Sequence, residues 1–286
     1  MTSLRKTALV AGVLYLITFI AGIPPAAFLL EPVLSNPQYI ISAGADAQVT
    51  WGALLDIVNA LACIGTAVVL YSVVKRQHEG LALGFITTRM FEAAVIMIGV
   101  LSLLTVVTLR QPDATGAEAA SLVTAGRLLV SLRDWTQLLG PGLAPALNAL
   151  LLGTLMYRSR LVPRPIPVLG LIGAPLLLSF TIGTMFGITT AAPAWAAIAI
   201  VPIFFWELSL GLWMTFKGFN PNARSRSLRA PTSDAQARPW TTSAPATHRE
   251  RLRSPCDPRP SRVPHIWAHI NTTPHIRKGK PCSRPQ

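Results

Sequence analysis

Residues 81–109 read LALGFITTRMFEAAVIMIGVLSLLTVVTL, a run of 29 residues in which Arg89 and Glu92 are the only charges. A helix rises about 1.5 Å per residue, and roughly 20 apolar residues cross ~30 Å of hydrocarbon. The run is therefore long enough to span a bilayer with some tilt. Ionisable groups inside such a span are rare and usually functional. The reading of this stretch sets the expectation for the whole chain.

Outward from it, the composition agrees. Of 286 residues, 51% are hydrophobic and only 13% charged, with a mean hydropathy of +0.47, which places the chain in the membrane class. Five further apolar runs repeat the pattern. The expected spans are about 8–30, 51–74, 81–109, 135–157, 168–189 and 195–216. The fold class is all-α, a polytopic bundle of six transmembrane helices.

The first run follows Arg5-Lys6 and is longer than the roughly 7 to 15 apolar residues of a signal peptide, so it is expected to be retained. Pro24-Pro25 should kink or end it. Trp51 and Tyr71 sit near the two ends of span two, where interfacial aromatic residues belong. The 31–50 segment reads as a polar loop without Lys or Arg. Between spans three and four, residues 110–134 form the longest loop, and 118–132 has a loosely helical apolar pattern. A short amphipathic helix is expected there, lying at the interface or packed on the bundle. Gly140-Pro141-Gly142 and Pro145 open span four, and backbone groups freed there need partners. Gly183-xxx-Gly187 in span five reads as a close-packing face.

The N-terminus and the turns at 75–80 and 158–165 hold seven Lys/Arg, whereas the opposite loops hold only Arg110, Arg127 and Arg133. The positive-inside rule places both termini in the cytoplasm. The segment 1–221 is one transmembrane domain. Residues 222–286 differ in kind, a basic Pro/Arg-rich tail without periodicity, expected to be disordered. From 217 onward the chain carries 14 Lys/Arg against 3 Asp/Glu. That excess suits anionic lipid on the cytoplasmic face, while no nucleic-acid reading module accompanies it. The expected partner is the lipid bilayer, with anionic lipid contact through the tail and no nucleic acid.

His265, His269 and His275 in this tail read as solvated imidazoles rather than metal ligands, and Asn271-Thr272-Thr273 as a chance glycosylation match. Cys63 reads as a small buried apolar side chain, and the three cysteines have no metal-ligand spacing. His-Glu-x-x-His, Gly-x-Ser-x-Gly and phosphate-binding glycine loops are absent from the sequence. No enzymatic activity, cofactor or metal is expected, with an intramembrane enzyme that uses bare carboxylates as general acid and base kept as an alternative.

Depth along the helices isolates a candidate site. Measured from the cytoplasmic ends, Arg89 lies about 12 Å deep, Glu92 about 16 Å, and Asn148 and Glu207 about 15 Å each. Residues from spans three, four and six thus share one layer. A lone charge at the centre costs about 2.5 to 3.5 kcal/mol, whereas each Leu or Ile returns only about 0.3 to 0.6 kcal/mol. Pairing is the expected outcome, with Arg89 and Glu92 on one helix face, Arg89 reaching Glu207, and Asn148 supplying an amide. One cation with two carboxylates leaves an excess negative charge that favours a proton or another cation. Three readings stay open: an ion, proton or solute site, a lock that holds helices or a partner together, and Arg89 snorkelling to the headgroups. Asp56 and Asn59 form a secondary group on span two. Asp56 is expected close to the outer surface, reaching interfacial water or pairing with Arg127 or Arg133.

Several segments together resemble a known family: 12–16 (GVLYL), 89–94 (RMFEAA), 139–150 from LGPG to NAL, 157–164 (YRSRLVPR), 169–173 (LGLIG), and Trp206-Glu207-Leu208 through Trp213 to 217–219 (KGF). The combination, over about residues 7–221, is similar to bacterial multi-pass membrane proteins grouped as domain-of-unknown-function family four-three-eight-six. The resemblance implies an integral protein of the bacterial cytoplasmic membrane and no particular activity. The tail after Pro221 departs from the family pattern and resembles an out-of-frame or extended reading of a GC-rich gene.

Overall fold

Arg5 shows how the two ends of the described chain are tied together. In the computed structural model, which describes residues 3–42, 44, 46–188 and 193–220, its guanidinium donates to the carbonyls of Met214 (3.2 Å), Thr215 (2.9 Å) and Phe216 (2.7 Å). These are orphan acceptors at the end of the last helix, where a cation also complements the macrodipole. The expectations for the tail, including its three histidines and the Asn271 motif, lie outside the described residues.

The elements are α1 (Ser3–Pro24), a π-helical turn (Pro25–Leu29), α2 (Glu31–Ser35), a 3-10 turn (Tyr39–Ile41), α3 (Asp46–Val74), α4 (Glu79–Leu109), α5 (Gly116–Leu139), α6 (Ala144–Ser159), α7 (Pro165–Met185) and α8 (Pro193–Phe216). Six helical stretches are long and apolar enough to cross a membrane. No strand occurs among the described residues. The paired prolines do not stop the first span, which continues through the π-helical turn to Leu29.

The six spans close into a ring in chain order. α1 packs on α3, α3 on α4, α4 on α5 and α6, α6 on α7, α7 on α8, and α8 back on α1. Small residues set the close approaches. A methyl added at Gly12 would lie 2.8 Å from the carbonyl oxygen of Gly211, and one at Gly170 would lie 2.5 Å from the indole of Trp206. Large apolar side chains such as Ile20, Leu61, Leu101, Ile172 and Phe205 face outward, as lipid-facing positions would. The buried charges Asp56, Arg89, Glu92 and Arg133 face inward.

Two expectations are corrected. First, most of the expected 110–134 loop is helix: the helical pattern at 118–132 belongs to α5 and is packed on the bundle against α4, the second of the two placements expected for it. Helix α5 starts at Gly116 and runs unbroken to Leu139, and with α6 it forms one 44-residue candidate span, Gly116–Ser159. Gly99 of α4 backs onto Arg133 and Thr136, Gly140 backs onto Val95, and Gly84 backs onto Leu151. α5 and α6 therefore run antiparallel to α4 as one broken helix. The break at 140–143 carries the glycines and Pro141, and its freed Gly142 carbonyl accepts a 3.0 Å bond from Thr181 of α7. The 31–50 segment is also more structured than a plain loop, containing α2, the 3-10 turn and the first turn of α3.

Second, Gly187 is a helix cap rather than part of a packing face. α7 ends at Met185, and Gly187 has φ +72° with nothing near an added Cβ. Its amide bonds the Thr184 carbonyl at 3.0 Å, and the Ile188 amide bonds the Gly183 carbonyl at 2.8 Å. This is a glycine helix cap of the Schellman type, in which the residue is required for its left-handed backbone.

Candidate functional site

Four side chains from three helices meet inside the ring. Arg89 Nη1 lies 3.0 Å from Glu92 Oε2 on the same helix, one turn on. Arg89 Nη2 lies 3.1 Å from Glu207 Oε1 on α8. Asn148 Nδ2 of α6 donates to Glu92 Oε2 at 2.9 Å. The side chains of Arg89 and Glu92 are 2% and 6% exposed and that of Glu207 15%, so Glu207 is the member that solvent or a ligand can still reach. Snorkelling of Arg89 is overturned, because its guanidinium points into the ring between two carboxylates.

The helices position these groups for simple reasons. Spacing of three places Arg89 and Glu92 on one face of α4. Trp206, 1% exposed and seated on Gly170, fixes the rotation of α8 and so the direction in which the next residue, Glu207, projects. Arg89 is further held over the Tyr15 ring, with Cζ 5.0 Å from its centroid, and 6.0 Å from that of Phe85. Aromatic faces attract a guanidinium and shield it from lipid. Cys63 Sγ lies 3.6 Å from Arg89 Nη1, so this thiol, buried as expected, also borders the cluster.

Sequence reasoning missed Tyr15 and Cys63, although the same depth count finds them. Tyr15 is ten residues from Arg5 and Cys63 twelve from Lys75, about 15 and 18 Å deep.

Asp56 and Asn59 are placed differently from each other. Asp56 Oδ2 pairs with Arg133 Nη2 at 2.7 Å, and Arg133 Nη1 donates to Gln137 Oε1 at 2.8 Å. Both charges are buried, so contact of Asp56 with interfacial water is overturned: α5 covers the position, and Arg133 is the partner rather than Arg127. Asn59 contributes its amide beside Gly22. A cavity of about 170 Å³ is lined by members of both groups, Asp56 and Asn59 together with Arg89, Glu92 and Glu207. Among described residues, Arg89 Nε, Arg133 Nε and Asn148 Oδ1 are buried without a hydrogen-bond partner. Such groups are costly in low dielectric unless water or a ligand satisfies them.

The first cluster has formal charge −1, from one Arg and two Glu, and the second, from Arg133 and Asp56, is neutral. No group of three or more metal-ligating side chains occurs among the described residues. The arrangement can hold a proton or a monovalent cation on carboxylates whose geometry is fixed by a shared arginine.

No curated protein and no solved structure matches the chain. The family model described as Domain of unknown function (DUF4386) matches residues 10–218, a range that contains Arg89, Glu92, Asn148 and Glu207. The chain belongs to the DUF4386 family.

Proposed function

We propose that this protein is a multi-pass protein of a bacterial cytoplasmic membrane, with both termini inside, whose Arg89–Glu92–Asn148–Glu207 layer is a proton or small-cation site. The observation that carries this reading is the shared arginine. Arg89 meets two carboxylates on two different helices beside a cavity, leaving one uncompensated negative charge inside the bundle. A proton or cation arriving there relieves the charge, and Glu207, the accessible member, is its port of entry. The lysine and arginine distribution supports the orientation. The surrounding partner is the lipid bilayer, and the basic tail supplies contact with anionic lipid. Catalysis is not part of this reading.

A second reading, in which the layer serves only as a lock for helices or a partner subunit, is favoured by the direct contacts of Arg89 with both glutamates, one of them on another helix. Flux driven by a pH gradient in proteoliposomes separates the two. Flux in the native chain that is lost in Glu207→Gln supports the site. Absence of flux from both proteins, with only thermal stability altered by the substitution, supports the lock.

A further inference from the structure

Glu207 borders a second, larger cavity. This crevice, about 620 Å³, lies between α5, α6, α7 and α8 with Phe19 of α1 in its wall, within the roughly 300 to 1,000 Å³ typical of ligand sites. It shares Glu207 and Gln137 with the smaller polar cavity. Along α8 it extends from Ile200 to Glu207, seven helical rises or about 10 Å, and on the other side from Asp134 of α5 to Pro141 and Gly142 at the break.

Its chemistry has one sign. The charged side chains lining it are Asp134 and Glu207, and no Lys, Arg or His lines it among the described residues. Four aromatic residues, Phe19, Trp135, Phe180 and Phe204, contribute to the walls. Phe19 and Phe204 meet edge to face with centroids 5.3 Å apart. Asp134 and Trp135 are exposed, whereas Glu207 lies at the buried end against Arg89. Arg89 meets Glu207 through Oε1 from outside the crevice, and two carboxylates beside aromatic faces, with no cation in the lining, give a desolvated organic cation apolar area, cation–π contact and a counter-charge.

We propose that this crevice binds a monovalent organic cation with an apolar body, its charge directed at Glu207 and its body among the four aromatic residues. The proposal rests on the reading of the layer as a cation site. It adds the class of ligand. A purely lipid-filled groove would not require two carboxylates in its wall.

The test uses the full-length protein in nanodiscs of zwitterionic lipid, with radiolabelled tetraphenylphosphonium as the probe and empty nanodiscs to subtract partitioning. The expected result is saturable binding at one site per chain, without competition from neutral triphenylphosphine oxide. Glu207→Gln should weaken it about 10-fold or more, since a desolvated charge contact is lost. Phe204→Ala and Asp134→Asn, at more exposed positions, should weaken it by about 3-fold or more, and they carry the test if Glu207→Gln does not fold. Binding no greater than in empty nanodiscs overturns the proposal. So does wild-type affinity in all folded variants, or equal competition by the neutral analogue, which marks a groove for lipid or any lipophile. Proton flux measured without an organic cation separates the failures: flux lost in Glu207→Gln alongside absent probe binding leaves the proton site standing and removes only the ligand class.

Discussion

Replacing Arg89 with Leu removes the one cation that two buried carboxylates share. Both contacts go at once, the 3.0 Å pair with Glu92 and the 3.1 Å pair with Glu207, and the cluster changes from formal charge −1 to −2. Removing one partner of a buried pair costs about 3–5 kcal/mol because the other charge remains uncompensated. The two pairs share a guanidinium, so their losses do not add, and the expected loss stays near about 3–5 kcal/mol. For a chain of this size about 1 kcal/mol corresponds to about 2–4 °C, giving a melting temperature lower by about 6–20 °C. Cys63, buried 3.6 Å from Arg89, is a built-in reporter. With Cys256→Ser and Cys282→Ser in the background, a thiol-reactive dye follows unfolding through Cys63 alone. Glu92→Gln, which brings the cluster to zero net charge and keeps an acceptor for Arg89 and Asn148, should shift the transition far less. Arg89→Leu melting within about 2 °C of its background, below the smallest shift derived above, would refute the reasoning, since the arginine would then not be compensating buried carboxylates.

Gly170→Ala drives a methyl to 2.5 Å from the Trp206 indole, and overpacking of this kind costs about 1–3 kcal/mol; the same thermal assay should show the loss, and the displaced α8 should weaken any Glu207-dependent flux. Thr181→Val leaves the Gly142 carbonyl at the α5–α6 break without its 3.0 Å donor and should cost about 1–3 kcal/mol, with faster hydrogen exchange around residues 140–144. In the segment between spans one and two, burial first, and then a 2.9 Å hydrogen bond to Asp46, push Tyr39 from 10.0 up to about 12. Folding favours its protonated form, so the contribution is complete below pH 10 and is lost as pH rises through about 12. Ultraviolet titration should show a late-ionising tyrosine component, part of which Asp46→Asn should bring earlier.

The spans were legible because length and apolarity are properties of local sequence. The four-residue layer was legible because depth follows from counting along helices, whatever their order around the ring. What counting cannot supply is rotation. Whether Arg89 faced Glu207 or lipid depended on α8 being turned by Trp206 against Gly170, a long-range contact with no signature in either segment. The α5 error has a similar origin. Residues 116–134 contain Glu118, Arg127, Arg133 and Asp134, too polar for a hydropathy window, and the helix there is held by tertiary contacts such as Arg133 with Asp56 and Gly126 against Ile40. Gly183-xxx-Gly187 misled because the motif says nothing about where the helix ends, and Gly187 falls just beyond that end.

The central claim is that the excess negative charge of the layer takes up a proton or cation through Glu207. Difference infrared spectroscopy on the reconstituted protein, comparing acidic and neutral pH, observes the carboxyl groups directly. The account predicts a protonated-carboxyl band that shifts in deuterated solvent, as a group protonated from solvent must, and that is missing from Glu207→Gln. It is contradicted if that band is absent from the native protein, or if Glu207→Gln retains it unchanged.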